Sequence, residues 1–173
     1  LSDLALARVL DGGGADDGAW VVTEHVEGRA LSHWLAGHRG ARTLPSLGAA
    51  QRLFEKVAGA ARFLHEARGL DPPAHGAICA RNVLVRRVGA QHAVKVLGAG
   101  LLHPSAEDGA STAWQRALPY LAPERAAAGA ASQPADVFAL GVLMAALLTT
   151  RAAPESMTEP WCAYVQSPGA RVR

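Results

Sequence analysis

The sequence has few cysteines, few charges and no apolar run long enough to cross a membrane. Only two of its 173 residues are cysteine, which excludes the disulfide framework of a small secreted domain. The longest apolar run, from Val137 to Leu148, is too short to span a bilayer and predicts a buried helix instead. Charged residues make up 18% and apolar residues 50%, a balance that excludes an intrinsically disordered chain.

The charge balance excludes a strong field of either sign. Lys and Arg number 17 against 15 Asp and Glu, for a net charge of +2, so neither a nucleic acid nor a membrane surface is predicted as a partner. Residues 1–4 (LSDL) carry no signal-peptide pattern. We therefore expect a cytoplasmic location, in a soluble protein or in the cytoplasmic part of a membrane-anchored one, and a chain that begins inside a longer protein.

Residue patterns predict a mixture of short strands and longer helices. Two strands are expected at 5–10 and 19–26, joined by a plain loop, because Gly12–Gly14 lack the spacing of a phosphate-binding loop. A second hairpin is expected at 82–85 and 93–97, and the long segment 98–118 has the character of a functional loop.

Helices are predicted in five places. A short one is expected at 31–35, and an amphipathic one begins at the cap Ser46 and ends near Gly69. Three more are expected at 124–131, at 136–148 and at 159–166, the second of them apolar on all sides and therefore central.

Six segments, in a fixed order, resemble the protein kinase superfamily. Residues 21–28 (VVTEHVEG) resemble the strand and hinge that hold adenine, and residues 75–85 (HGAICARNVLV) resemble the tyrosine-kinase catalytic loop HRDLAARNVLV. The others are 94–101 (VKVLGAGL), similar to the strand that leads into Asp-Phe-Gly, then 121–124 (LAPE), 136–143 (DVFALGVL) and 160–165 (PWCAYV).

This resemblance implies an α+β, protein-kinase-like fold truncated at both ends. Residues 1–173 would form a single partial domain, with 5–26 as the last N-lobe strands and the entry to the hinge, and 27–173 as a mostly helical C-lobe. It also implies an adenine site at Thr23, Glu24, Val26, Asn82 and Leu84, and structural roles for Asp136, Glu124 and Arg81.

The departures from the kinase pattern indicate that the chemistry is lost. Phosphoryl transfer needs metal ions on the phosphates and a carboxylate that orients the attacking hydroxyl. The catalytic-loop Asp position is Ala77, and the metal-binding Asp position is Gly98. Gly76 replaces the Arg of the His-Arg-Asp motif, so His75 is the one residue of that motif that is retained. We expect the His75 ring to bond the backbone near Gly98.

These replacements predict a pseudokinase, that is, a regulatory or protein-interaction domain whose partners are other protein domains. No cofactor is required and magnesium is not expected, while ATP binding by the full-length protein stays open. The HG pair at 75–76 is similar to pseudokinase domains of Janus kinases and of some receptors, whereas residues 118–124 (LPYLAPE) are similar to serine/threonine kinases.

Three other interpretations stay open. The chain could be an atypical active protein (tyrosine) kinase or nucleotide-transferring enzyme that takes its acids from the rest of the N-lobe or from a partner, or a fragment of a degenerate gene product without an ordered function. A metal pair of His75 and Cys79 is a weaker third, because no further ligands have suitable spacing.

Overall fold

The structure is a computed structural model that describes residues 5–15, 18–100, 117–126 and 130–149. In these ranges the chain forms two small antiparallel sheets and a set of helices. The predicted α+β, mostly helical architecture is therefore confirmed. The predicted helix at 159–166 and residues 101–116 of the long segment lie outside the described residues.

The first sheet is a hairpin of β1 (Val9–Ala15) and β2 (Gly18–Thr23). The prediction of a plain loop at the glycines is wrong, since Gly12, Gly13 and Gly14 pair in register with residues of β2. A Cβ on Gly13 would come within 2.8 Å of the Trp20 ring. Glycine is therefore used here for a close approach of the ring to the neighbouring backbone.

The second sheet has the order β3–β4–β5 and supports the catalytic-loop region. It consists of β3 (Arg29–Ala30), β4 (Val83–Val88) and β5 (Gln91–Val96), all antiparallel. The hairpin predicted here is confirmed, with Gly89 in its turn at a φ of 58°. Leu6 adds an isolated parallel bridge to Val96, which ties the start of the chain to this sheet.

The first two helices pack beside the second sheet. Helix α1 (Leu31–Gly40) is longer than the predicted 31–35, because Gly37 continues the helix instead of ending it. Helix α2 (Leu47–Glu66) begins at the predicted cap, where Ser46 Oγ accepts the Ala49 N–H at 3.2 Å. It ends at Glu66, and the cap position is the extended Ala67, so the prediction of a glycine cap is wrong.

The last described part contains a 3-10 turn (Leu118–Tyr120), α3 (Pro123–Ala126) and α4 (Gln133–Thr149). The helix predicted at 124–131 is shorter at its far end, because residues 130 and 131 are not helical. The helix predicted at 136–148 is confirmed and begins three residues earlier. It is not buried on all sides, since Val137 remains 61% exposed.

The core lies where α2 packs against α4 and β5. Its largest fully buried apolar side chains come from α1, α2, α4 and the second sheet: Leu31, Leu53, Val57, Val83, Val96, Leu143 and Leu147. This packing holds residues 74–82, between α2 and β4, against the start of α4. Among the helices of the described ranges, none is long and apolar enough to cross a membrane.

Candidate catalytic loop and hinge

The carboxylate of Asp136, at the start of α4, holds the loop at residues 75–77. Its Oδ2 accepts the His75 backbone N–H at 2.7 Å, and its Oδ1 accepts the Gly76 backbone N–H at 2.9 Å. Asp136 is 1% exposed. A buried carboxylate is stable only with such partners. These two hydrogen bonds therefore fix the shape of the loop and also compensate for the burial of Asp136.

His65, near the end of α2, is a third partner that sequence reasoning missed. Its Nε2 lies 2.9 Å from Asp136 Oδ2. The carboxylate therefore joins α2, the loop and α4 at one point. His65 occupies a polar position in the last turn of an amphipathic helix, and that pattern alone is typical of a solvated residue.

His75 is fully buried, and its ring is turned back on its own loop. Nδ1 accepts the Ala77 backbone N–H at 3.2 Å, whereas Nε2 has no hydrogen-bond partner among the described residues. The expected bond between the ring and the backbone near Gly98 is absent from these ranges. The link is instead made by the His75 carbonyl oxygen, which accepts the Gly100 N–H at 2.9 Å.

Burial lowers the pKa of His75 to about 4, although the nearby Asp136 carboxylate raises it and so offsets part of the effect. The ring is therefore neutral at pH 7 and binds protons weakly. A general base works best with a pKa near the operating pH, so His75 is poorly suited to activate a hydroxyl.

Ala77, Asn82 and Gly98 are brought together by the fold. Asn82 Nδ2 donates to the Ala77 carbonyl oxygen at 2.9 Å, and the Asn82 carbonyl oxygen accepts the Leu97 N–H at 2.7 Å. Gly98 has a φ of 80°, and a Cβ built on it would lie 3.4 Å from Asn82 Nδ2. The only polar side chain among these three positions is the neutral amide of Asn82.

These residues do not fit a magnesium ion. Magnesium prefers several hard oxygen ligands in near-octahedral order, and Ala77 and Gly98 supply none. No group of three or more His, Cys, Asp or Glu residues in the described ranges is arranged to hold a metal. The His75–Cys79 pair is unsuitable as well, since burial raises the pKa of the Cys79 thiol and metals bind the thiolate.

Arg125, in α3, is a second residue that sequence reasoning missed. It is 2% exposed, and its Nη2 donates to the Gly76 carbonyl oxygen at 3.1 Å. Gly76 itself has a φ of 72°, and a Cβ on it would come within 2.8 Å of the Ala131 Cβ. A buried cation has no periodic signature in the sequence, which is why Arg125 resembles an ordinary surface residue there.

The other two residues assigned structural roles by the resemblance lie at the surface. Glu124 is exposed at the start of α3. Arg81 is exposed just before β4. Neither side chain contributes to the hydrogen bonds around Asp136.

The hinge segment begins where β2 ends, at Thr23. The Glu24 carboxylate Oε1 accepts hydrogen bonds from Lys95 Nζ at 2.8 Å and from the Arg8 backbone N–H at 3.0 Å. The hydrogen bond from Lys95, followed by that from Arg8, lowers the pKa of Glu24. Lys95 also donates to the Leu6 carbonyl oxygen at 3.1 Å, so this pair fastens the hinge to β5.

A cavity of about 450 Å³ lies along the hinge. Three of the five residues assigned to adenine, Glu24, Val26 and Leu84, line it, while Thr23 and Asn82 do not. Between described residues, no hydrogen bond occupies the backbone N–H of Val26. The cavity therefore offers a heteroaromatic ring the aliphatic surface of Val26 and Leu84 together with peptide groups, but most of its lining is polar or charged, including Lys56 and Arg86.

Comparison with known proteins agrees with this geometry. The family model for protein tyrosine and serine/threonine kinases matches residues 6–167. The PknI kinase domain of Mycobacterium tuberculosis is 23% identical, with a TM-score of 0.66, and is matched over 91% of this chain and 55% of that one. The maize SIRK1 kinase domain bound to AMP-PNP is 22% identical, with a TM-score of 0.66, over 86% and 52%.

At these identities the structural matches show the fold alone. The chain spans about half the length of those two kinase domains. No curated protein matches it.

Proposed function

Because the chain belongs to the protein tyrosine and serine/threonine kinase family, we propose that it is a pseudokinase domain that regulates or binds other protein domains in signalling. The observation that carries the proposal is the pair Ala77 and Gly98, a methyl group and a hydrogen where phosphoryl transfer needs two carboxylates. The alternative, an atypical active tyrosine kinase, would need acids from outside this chain.

Among the described residues, the acids of the anchor and of the hinge are engaged elsewhere. The sequence has no Asp or Glu between Asp71 and Glu107, so a small shift in alignment restores neither position. Asp136 is occupied by backbone N–H groups and His65. Glu24 is held in the hinge by Lys95.

The chain keeps the scaffold although it lacks the chemistry. Asp136 still anchors the loop, and Asn82 still links Ala77 to the strand that leads to Gly98. A shape maintained without its reactive groups is useful as a binding surface, which supports the role of a regulatory module. Residues 79–85 favour the tyrosine-kinase branch and residues 118–124 the serine/threonine branch, so the proposal covers both.

Nucleotide binding by the full-length protein is part of the proposal, but magnesium binding is not. The hinge cavity with Val26 and Leu84 supports a purine base, and a solved relative carries AMP-PNP. Nothing between Ala77 and Gly98 would hold the metal that normally accompanies the phosphates. Contacts of the phosphates through a metal should therefore contribute nothing to any affinity for ATP.

The test is the affinity of the full-length protein for a fluorescent ATP analogue, measured with magnesium and again with EDTA. We expect the same affinity in both, or no binding in either, and no change on Asn82→Ala. Binding that magnesium strengthens about tenfold, which corresponds to about 1.4 kcal/mol, and that Asn82→Ala weakens would contradict the proposal.

A further inference from the structure

Three aromatic rings, from α1 and β5, form one cluster. The Trp34 ring in α1 lies edge-to-face against His38, with centroids 4.5 Å apart, and against His92 of β5, at 5.6 Å. His38 Nδ1 lies within hydrogen-bond distance of Thr43 Oγ1, at 3.0 Å. All three rings are half-buried, so the cluster is held in place and still reaches the surface.

Two arginines from different elements act on His92: Arg87 is its partner in the β4–β5 pairing, and the charge of Arg52 reaches the ring from α2. Arg52 belongs to α2 and Arg87 to β4, and both are exposed. After burial, the charges of Arg87, Arg52 and His38 are what lower the pKa of His92, and no acidic residue contributes in the other direction. The electrostatic environment of His92 is therefore positive.

Neither Arg52 nor Arg87 has an acidic partner within the described residues. The lysine and arginine ion pairs found there lie elsewhere: Arg62 with Glu66, Arg86 with Glu27, and Lys95 with Glu24. Arg87 uses its Nε to bond the Gly89 carbonyl oxygen, which holds the side chain near the β4–β5 turn. The local positive charge has no compensation from this part of the chain.

We propose that Trp34, His38 and His92, together with Arg52 and Arg87, form a docking surface for an acidic segment of a partner protein. The guanidinium groups match carboxylates, which they bind through paired hydrogen bonds. The aromatic rings supply apolar contact area at a small entropy cost, and Trp and Arg are enriched among residues that dominate binding energy. We name this set the Trp34 surface.

A protein segment fits the Trp34 surface better than a nucleic acid does. Binding of a nucleic acid depends on an extended basic groove with open aromatic faces for the bases. Here the rings lie edge-to-face against one another, and the net charge of the whole chain is only +2. A short acidic peptide needs only a local positive patch.

This inference goes beyond the proposed function and does not depend on it. The Trp34 surface shares no residue with the lining of the hinge cavity or with the cluster of Ala77, Asn82 and Gly98. Phosphoryl transfer by the protein would therefore refute the pseudokinase role without refuting the Trp34 surface. Failure of the peptide to bind would refute the Trp34 surface without refuting the pseudokinase role.

The experiment measures fluorescence anisotropy of a labelled octapeptide of six Glu and two Leu, titrated with the full-length protein. We expect saturable binding that weakens with salt and that the double variant Arg52→Gln/Arg87→Gln weakens by about tenfold or more, because charge-assisted bonds are lost. The matched control is Arg39→Gln/Arg62→Gln, which removes the same charge from α1 and α2 and should bind like the unmodified protein.

Three results would overturn the inference: no binding of the peptide, an equal loss in both double variants, or tighter binding of an oligothymidylate of equal charge. Circular dichroism of both variants keeps the comparison valid. If the Arg52/Arg87 variant is unfolded, the perturbation of the Trp34 indole N–H resonance by the peptide in the unmodified protein decides, and an unchanged resonance would refute the assignment.

Discussion

The amide nitrogen of Asn82 lies 3.4 Å from the place that a Cβ on Gly98 would occupy. The same nitrogen donates to the carbonyl oxygen of Ala77, so the two positions that lack carboxylates lie on either side of one neutral side chain. Gly98 has a φ of 80°, which L residues adopt at a cost of about 1–2 kcal/mol. One neutral side chain, that of Asn82, therefore lies beside both positions from which a carboxylate is missing.

Restoring one acid alone should not restore activity. Ala77→Asp would supply a carboxylate for the acceptor hydroxyl, but Gly98 would still offer no oxygen to a metal. We expect no transfer of labelled phosphate from ATP to a generic peptide substrate by the full-length variant. Transfer by Ala77→Asp that requires magnesium would mean that another group binds the metal, and it would refute the role given to Gly98.

Removal of the Asp136 carboxylate should destabilise the fold. Asp136→Ala leaves the backbone N–H groups of His75 and Gly76 without partners in a buried site, at roughly 1–3 kcal/mol for each unsatisfied group. Urea unfolding should show a lower midpoint and a free energy of unfolding lowered by about that amount for each group. The control is Glu55→Ala on the exposed side of α2, which should change the free energy of unfolding by less than about 0.5 kcal/mol.

An Asp136→Ala midpoint within error of the Glu55→Ala midpoint would contradict this role. It would mean that water or another acceptor satisfies the two N–H groups of the loop, and that the shape of residues 75–77 does not depend on α4.

Any side chain at position 76 should lower the free energy of unfolding. Gly76→Ala forces a Cβ into the left-handed region and to within 2.8 Å of the Ala131 Cβ. The expected loss is more than about 1 kcal/mol of unfolding free energy. The matched control is Gly59→Ala, at an exposed helical site with nothing within 4 Å of the new atom, which should stabilise by up to about 1 kcal/mol.

These two substitutions should therefore shift the thermal midpoint in opposite directions. Equal shifts of the same sign would show that Gly76 has room for a side chain and that an Arg could be accommodated there.

Stability should fall as the solution is acidified through the titration of His75. Burial lowers the pKa of this ring to about 4 in the folded chain, against an ordinary value of 6.5. Between pH 6.5 and pH 4, His75 therefore binds a proton in the unfolded chain but not in the folded chain. The contribution is fully present above pH 6.5 and is lost as pH falls towards 4, by up to ~3 kcal/mol.

The measurement is urea unfolding at pH 7 and pH 5 for the unmodified protein and for His75→Gln. The variant should show the smaller pH dependence, while His33→Gln, at an exposed position of α1, should keep the slope of the unmodified protein. If His75→Gln does not fold, the His75 ring resonances of the unmodified protein decide: a midpoint near 6.5 would contradict the buried, neutral ring.

Much of the fold was predictable because its signals are local. The spacing of apolar residues along 47–66, the cap Ser46 and the turn at Gly89 each depend on a few neighbouring residues. The glycines of β1 were misassigned because their reason for being glycine, the approach of Trp20 to Gly13, lies on another strand. Sequence patterns carry no record of such contacts.

The site was predictable only in the residues that a family pattern marks. Ala77, Gly98 and Asp136 were found through that pattern, whereas His65 and Arg125 were not, because each acts across 49 to 71 residues of chain. The Glu24–Lys95 pair was missed for the same reason. Long-range polar contacts depend on the assembled fold, and neither charge nor periodicity in the sequence indicates them.

The most direct test is the transfer of labelled γ-phosphate from ATP, with magnesium present, by the full-length protein and its Asn82→Ala variant. Asn82 is the one polar side chain at the three central positions, so any genuine reaction in this cleft should depend on it. We expect the two proteins to give the same background signal. Turnover by the unmodified protein that Asn82→Ala abolishes would contradict the conclusion that this cleft has lost its chemistry.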